Sequence, residues 1–127
     1  DEVLLTEGSP VPIFIDRWPK EIKAFYMKRA PEDQNLVLGS DLIAPEGFGE
    51  IIGGSEREDD YDLLLSRMKE ENMDLEEYQW FLDLRKYGSV PHSGFGIGLE
   101  RLVTWMSGTH HIRETIPFPR MIYRIYP

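Results

Sequence analysis

Between Val11 and about Gly53 the apolar residues come in short runs: Val11 to Ile15, Ala24 to Met27, Leu36 to Leu38, and the pair Ile51 and Ile52. Pro, Gly, Asp and Asn separate them, and runs of this length bounded by turn formers predict strands. The polar stretch Pro31-Glu32-Asp33-Gln34-Asn35 is long enough to join antiparallel neighbours and too short for a parallel crossover. The sheet is therefore expected to be antiparallel.

The period then changes. Ser55 followed by Glu58 is a capping-box pattern, and Tyr61, Leu64, Leu65 and Met68 recur at helical spacing, so a helix is predicted to begin near Glu56. Asp74 with Glu77 repeats the pattern ahead of Leu75, Tyr78, Phe81, Leu82 and Arg85, with Gly88 placed to end a second helix. The two are expected to form a hairpin beside the sheet. After the loop Ser89 to Ser93, the run Gly94-Phe95-Gly96-Ile97-Gly98 reads as a strand leading into a helix with Leu99, Leu102, Val103 and Met106 on one face and Gly108 as its stop. The closing IPFPRMIYRIYP is too proline-rich for a long helix and is expected to be an ordered tail packed on the domain. The fold class is thus α+β, an antiparallel sheet flanked by helices.

Composition narrows the chemistry. A length of 127 residues is that of one ordinary domain, and 41% hydrophobic with 29% charged residues is a globular balance that excludes a disordered chain. There is no cysteine, which removes a disulfide framework, a cysteine-ligated zinc site and a thiol nucleophile, and the three histidines have no zinc-like spacing. No apolar run approaches the ~18 residues of a membrane span, and the first ten residues are acidic where a signal peptide is basic. A cytoplasmic protein without a membrane partner is the expectation. The formal charge of −9 argues against a nucleic-acid surface, but much of the acid lies between Glu56 and Glu77, on what read as the wet faces of the two helices.

Two constellations carry candidate chemistry. Glycine at every second position from Gly94 to Gly98 leaves one side of a strand without side chains, so that a flat ligand such as a purine, or another backbone, can lie against it. Arg101, about one helical turn on, is within reach of a phosphate or a base. Tight packing beside a surface arginine would give the same pattern. The second constellation is Asp41, Glu46, Glu50 and Arg57 around Gly53-Gly54-Ser55. Its carboxylates suit Mg²⁺, which takes one or two carboxylates with phosphate oxygens, and they equally suit solvated strand ends. His92 precedes the glycine strand, from where it could donate to a substrate carboxylate or simply satisfy a loop carbonyl. Trp18, Trp80 and Trp105 read as core or interface anchors.

Taken together, Gly-Phe-Gly-Ile-Gly-Leu-Glu-Arg-Leu, at about residues 94–107 with its helix, resembles motif 3 of the class II aminoacyl-tRNA synthetases. KYGSVPHSGFGIGLERL and HIRETIPFPR are similar to the aspartyl and asparaginyl subgroup, while PKEIKAFYMK and APEGFGEIIGGSERE look like asparaginyl enzymes. The resemblance covers nearly the whole chain, as the C-terminal half of a catalytic domain. It implies that Arg101 contacts ATP, with Gly98, Leu99 and Glu100 in the nucleotide-binding run. It further implies that Glu50 binds Mg²⁺ and ATP with Asp41 as second acid, and that Arg57 reads the amino-acid side chain, with His92 and Gly53 beside it. Gly53 stands where aspartyl relatives often carry serine, so a side-chain ligand there is in doubt. Motif 1, motif 2 and the anticodon-binding domain have no counterpart in these residues, and the family's anticodon contacts lie largely in that missing part, which removes the difficulty of the acidic charge. The implied activity of the parent enzyme is ATP-dependent formation of asparaginyl-adenylate and transfer to tRNA(Asn), by a homodimer. Alternatives are an aspartyl-tRNA synthetase, a tRNA-independent adenylating paralogue, and a non-catalytic fragment acting as a scaffold or association partner.

Overall fold

The computed structural model describes residues 8–126; the acidic stretch before Gly8 and the closing Pro127 lie outside it. Five strands, β1 (Ile13–Pro19), β2 (Arg29–Ala30), β3 (Asp33–Ala44), β4 (Gly49–Glu56) and β5 (Ser93–Ile97), form one antiparallel sheet in the order β1-β3-β4-β5, with β2 paired to β3. Three helices accompany it: α1 (Tyr61–Glu70), α2 (Gln79–Lys86) and α3 (Leu99–Ser107). Strand β2 pairs antiparallel through Arg29 opposite Val37 and Ala30 opposite Asp33, with a register shift between them. None of the described helices is long and apolar enough to cross a membrane.

The described residues divide into two compact units, 8–14, 41–53 and 96–126 in the first and 15–40 and 54–95 in the second. In the second unit, Leu64, Met68 and Leu82 are buried where α1 meets α2, under Phe25, Tyr61, Leu65, Met73, Leu75, Tyr78 and Phe81. Phe25 makes edge-to-face contacts with Tyr26, Tyr78 and Phe81 at 5.4, 5.6 and 5.7 Å between centroids. The expected hairpin therefore forms, but the run Ala24 to Met27 is not a strand. It is a turn followed by a single bridge from Met27 to Arg57, because its aromatic rings serve the helix pair.

The first helix also starts later than the capping pattern predicts. Residues 55 to 57 continue the ladder: the Glu56 carbonyl accepts from Lys28 N at 3.0 Å, and Arg57 N donates to the His92 carbonyl at 2.9 Å. Pairing across the sheet outweighs a local cap. The N-cap is Asp60, whose carboxylate accepts from Leu63 N at 2.9 Å, and Glu58 accepts from Asp60 N. Helix α1 ends in a Schellman arrangement: Asn72 is left-handed at φ 55°, Met73 N bonds Met68 O and Asn72 N bonds Lys69 O. Asp74 caps a turn, through Glu76 N, rather than α2 itself, which begins at Gln79 and ends before Gly88 at φ 125°.

In the first unit, Ile43, Ala44 and Ile51 are buried, while α3 has no buried residue and closes on left-handed Gly108. The tail departs from the expectation of a packed segment. After the 3-10 turn Ile112–Thr115 it is irregular, and Phe118, Ile122, Tyr123 and Tyr126 are exposed, Tyr123 at 99%.

One ion cluster sets an acid sensitivity. Lys28 Nζ lies 2.7 Å from Asp59 Oδ1 and 3.0 Å from Glu56 Oε1. Its hydrogen bond holds the Asp59 carboxyl below the usual carboxylate range, and the bonds to Asp59 and then Glu56 hold the Lys28 ammonium above its ordinary value. A lowered Asp59 stabilises the fold above the unfolded carboxylate pKa of about 3.9, and that contribution is lost as pH falls through its lowered value. A raised Lys28 stabilises below about 10.4 and is lost as pH rises through its raised value. Lys28→Met should therefore lower the urea midpoint at pH 7, with the gap to wild type closing as pH falls below the ordinary carboxylate range. A gap independent of pH would assign the loss to packing.

Candidate functional site

Strand β3 alternates burial from Val37 through Gly39 and Asp41 to Ile43, which puts Asp41, 1% exposed, on the buried side of the sheet. Glu50 is the second residue of the neighbouring β4, after the turn Pro45–Phe48. The two carboxylates meet at Gly53. A Cβ there would lie 2.6 Å from Glu50 Oε1 and 3.4 Å from Asp41 Oδ1, so glycine is what lets both oxygens converge on bare backbone. The doubt over a side-chain ligand at residue 53 thus has a geometric counterpart.

The same unit holds Arg101. Gly98 N donates to the Ile51 carbonyl at 2.9 Å, which fixes the start of α3 against β4, and Leu102 N closes the first helical bond on Gly98 O at 2.8 Å. From the first turn Arg101 Nη1 donates to the main-chain carbonyl of Glu50 at 2.7 Å. Its aliphatic stem lies over Gly98, where a Cβ would come within 3.3 Å of it. Leu99 and Glu100 open the helix and are exposed. Asp41, Glu50, Gly53, Gly98 and Arg101 are therefore one group. Glu46 is not part of it. It sits in the turn at φ 58° and lines a separate hollow of about 500 Å³ with Phe48, Thr104 and His110.

In the second unit Arg57 is held on three sides. Nη1 donates to Ser55 Oγ at 2.7 Å, Nη2 to the Gly94 carbonyl at 3.3 Å, and the guanidinium carbon lies 4.6 Å from the Tyr26 ring centroid. The glycine strand permits this, since a Cβ on Gly94 would meet Arg57 Nη2 at 3.1 Å. His92 Nδ1 is 2.7 Å from the Val90 carbonyl. With Nδ1–H as donor, the neutral ring keeps Nε2 as an acceptor. Arg57 and His92 line one depression of about 360 Å³ together with Tyr26, Phe81, Leu84 and Arg85.

Sequence reasoning missed four contributors to this depression and its supports. Tyr26 and Ser55 hold the Arg57 guanidinium, and Leu84 and Arg85 come from α2. Burial holds the Arg85 guanidinium below its ordinary value, with Glu58 and Asp59 opposing the shift. Nothing local in the sequence marks any of them, because each acquires its position through packing. Among the described residues no group of three or more His, Asp, Glu or Cys is arranged to hold a metal. The pair Asp41 and Glu50 is therefore the candidate donor set, and it fits a cation that draws its remaining ligands from phosphate and water.

The asparagine–tRNA ligase of Desulforamulus reducens is 60% identical over 126 residues, 99% of this chain and 29% of the relative. The crystal structure of Pyrococcus horikoshii asparaginyl-tRNA synthetase complexed with asparaginyl-adenylate is 60% identical with a TM-score of 0.94, over 99% of this chain and 29% of that one. The Entamoeba histolytica asparaginyl-tRNA synthetase in complex with asparaginyl-adenylate is 42% identical with a TM-score of 0.92, over the same shares. The chain thus spans about 29% of the length of these relatives. A family model described as tRNA synthetases class II (D, K and N) matches residues 2–122, and with nearly its whole length inside that match the chain belongs to this family.

Proposed function

We propose that the chain is the C-terminal half of the catalytic domain of an asparaginyl-tRNA synthetase, whose whole activates asparagine with ATP and transfers it to tRNA(Asn). The observation that carries this reading is the grouping of two carboxylates and a guanidinium around side-chain-free backbone at Gly53 and Gly98. That chemistry suits a polyphosphate and its cation. The relatives at 60% identity bear the name of this activity, and one was crystallised with asparaginyl-adenylate.

In this reading an oxygen of the asparagine carboxylate attacks the α-phosphorus of ATP. A new P–O bond forms, the bond to the bridging oxygen breaks, and pyrophosphate leaves with the electron pair. No protein nucleophile is required, so catalysis is positioning and charge neutralisation. Arg101 contacts the nucleotide beside Gly98, Leu99 and Glu100. Asp41 and Glu50 would hold Mg²⁺, and the chemistry it would supply there is neutralisation of phosphate charge. Arg57 donates to the side-chain oxygen of asparagine, its aim fixed by Ser55, the Gly94 carbonyl and Tyr26, with His92 lining the same depression. The same reading makes the enzyme a cytoplasmic homodimer.

Asparagine-dependent pyrophosphate exchange by a full-length synthetase carrying this segment tests the assignment. Arg101→Ala should weaken exchange by about 2 kcal/mol, roughly thirty-fold, the cost of removing a charged hydrogen-bond donor from the nucleotide. Unchanged exchange would remove Arg101 from the site. Glu50→Gln should raise the Mg²⁺ concentration needed for half-maximal exchange, and a wild-type metal dependence would sink the metal assignment. Arg57→Leu should reduce asparagine activation severely without creating aspartate activation, because a guanidinium attracts a carboxylate at least as well as an amide oxygen. A variant that activates aspartate efficiently would show that discrimination rests on Arg57 after all.

A further inference from the structure

The depression that receives the Arg57 guanidinium has a wall from α2, and Arg85 is its unusual member. A guanidinium only 8% exposed most often faces a carboxylate, yet among the described residues Arg85 has none within ion-pair distance. Its hydrogen bonds go to main chain instead: Nε donates to the Glu58 carbonyl at 3.0 Å, and Nη1 to the Phe81 carbonyl at 3.3 Å. Its carbon lies 4.2 Å from the Phe81 ring centroid. An arginine used in this way fixes backbone, and Glu58 is the residue directly after Arg57.

Three hydrogen bonds then hold two consecutive residues. Arg57 N is bound to the His92 carbonyl at 2.9 Å, Glu58 N to the Tyr26 carbonyl at 2.9 Å, and the Glu58 carbonyl to Arg85. Tyr26 appears twice, since its ring also lies under the Arg57 guanidinium. Beyond Tyr26 the ring contacts run through Phe25 to Phe81, and so back to Arg85. The circuit closes on itself. Anything that shifts Arg85 shifts both the main chain from which Arg57 projects and the ring on which it rests.

We propose that Arg85 is a positioning residue for Arg57, clamping the end of β4 so that the Arg57 guanidinium is aimed at the side chain of the bound amino acid. This rests on the reading of Arg57 given above. Arg85 acts on amino-acid affinity through Arg57, not on the nucleotide end. Lysine in its place keeps the charge but not the fork: a single ammonium cannot donate from Nε to one carbonyl and from Nη1 to another while its plane lies on an aromatic ring.

The test is a double-mutant cycle in a full-length synthetase carrying this segment, with Arg85→Lys, Arg57→Lys and the pair, read by pyrophosphate exchange and thermal unfolding. Arg85→Lys should raise the KM for asparagine about tenfold while the KM for ATP changes less than about twofold. In the Arg57→Lys background the same change should cost less than about threefold, because the group it positions is already gone. Equal costs in both backgrounds would overturn the proposal, as would a fall in Tm accompanied by parallel rises in both KM values. Should the lysine variant not fold, Arg85→Gln, which keeps one donor and drops the charge, enters the same cycle with the same criteria. A wild-type enzyme that shows no exchange with asparagine would overturn the functional reading itself, whereas normal wild-type exchange with an additive cycle would overturn only the role of Arg85.

Discussion

A methyl group at residue 53 would sit 2.6 Å from a carboxylate oxygen of Glu50, inside the distance any real pair of such atoms keeps. A side chain there would push the end of the Glu50 side chain out of its present place, so the position of that carboxylate depends on the space being clear. With it clear, Glu50 and the buried Asp41 bring two carboxyl oxygens to one stretch of bare strand, while the Glu50 main-chain carbonyl takes the Arg101 guanidinium at 2.7 Å. Acid and base are thus fixed by the same residue, the acid through its side chain and the base through its main chain.

Arg57 obeys a different logic. Its neighbours are a hydroxyl, a carbonyl and a ring face, none of them charged, so its positive charge is oriented without being neutralised. A guanidinium paired with a carboxylate would have to break that pair before meeting a ligand. One held by neutral acceptors keeps its attraction available, and the surrounding helix pair supplies the rigidity that makes the aim reproducible.

What could be read from the sequence was what is written locally. The glycine strand, the helix after it and its Gly108 stop are all contiguous signals, and the structure has them where the pattern puts them. Asp41, Glu50, Arg57 and Arg101 could be singled out because their residue types and spacings match a known motif. The capping pattern at Ser55 failed for the opposite reason: Ser55 is buried in a strand, accepting from Arg57, and only the partner strand at a distance in sequence makes it one. Ala24 to Met27 failed likewise, since an apolar run does not say whether its rings face a sheet neighbour or a helix pair. Leu84 and Arg85 belong to a helix whose pattern was legible, but which cavity they border is a tertiary fact.

The glycines of the candidate site differ in what surrounds them, and this sets what a substitution at each would displace. At Gly98 the obstacle to a side chain is the flexible stem of Arg101 at 3.3 Å, which can swing aside. At Gly54 the nearest atoms are the Phe95 Cβ at 3.0 Å and the Gly94 carbonyl at 3.2 Å, and neither can move without moving strand β5. Substitution at Gly98 therefore displaces mainly the Arg101 stem, while substitution at Gly54 requires a concerted shift of a whole strand. Packing alone thus excludes a side chain at Gly54, whereas at Gly98 what excludes one is the Arg101 contact to the Glu50 carbonyl, which a swung stem would give up.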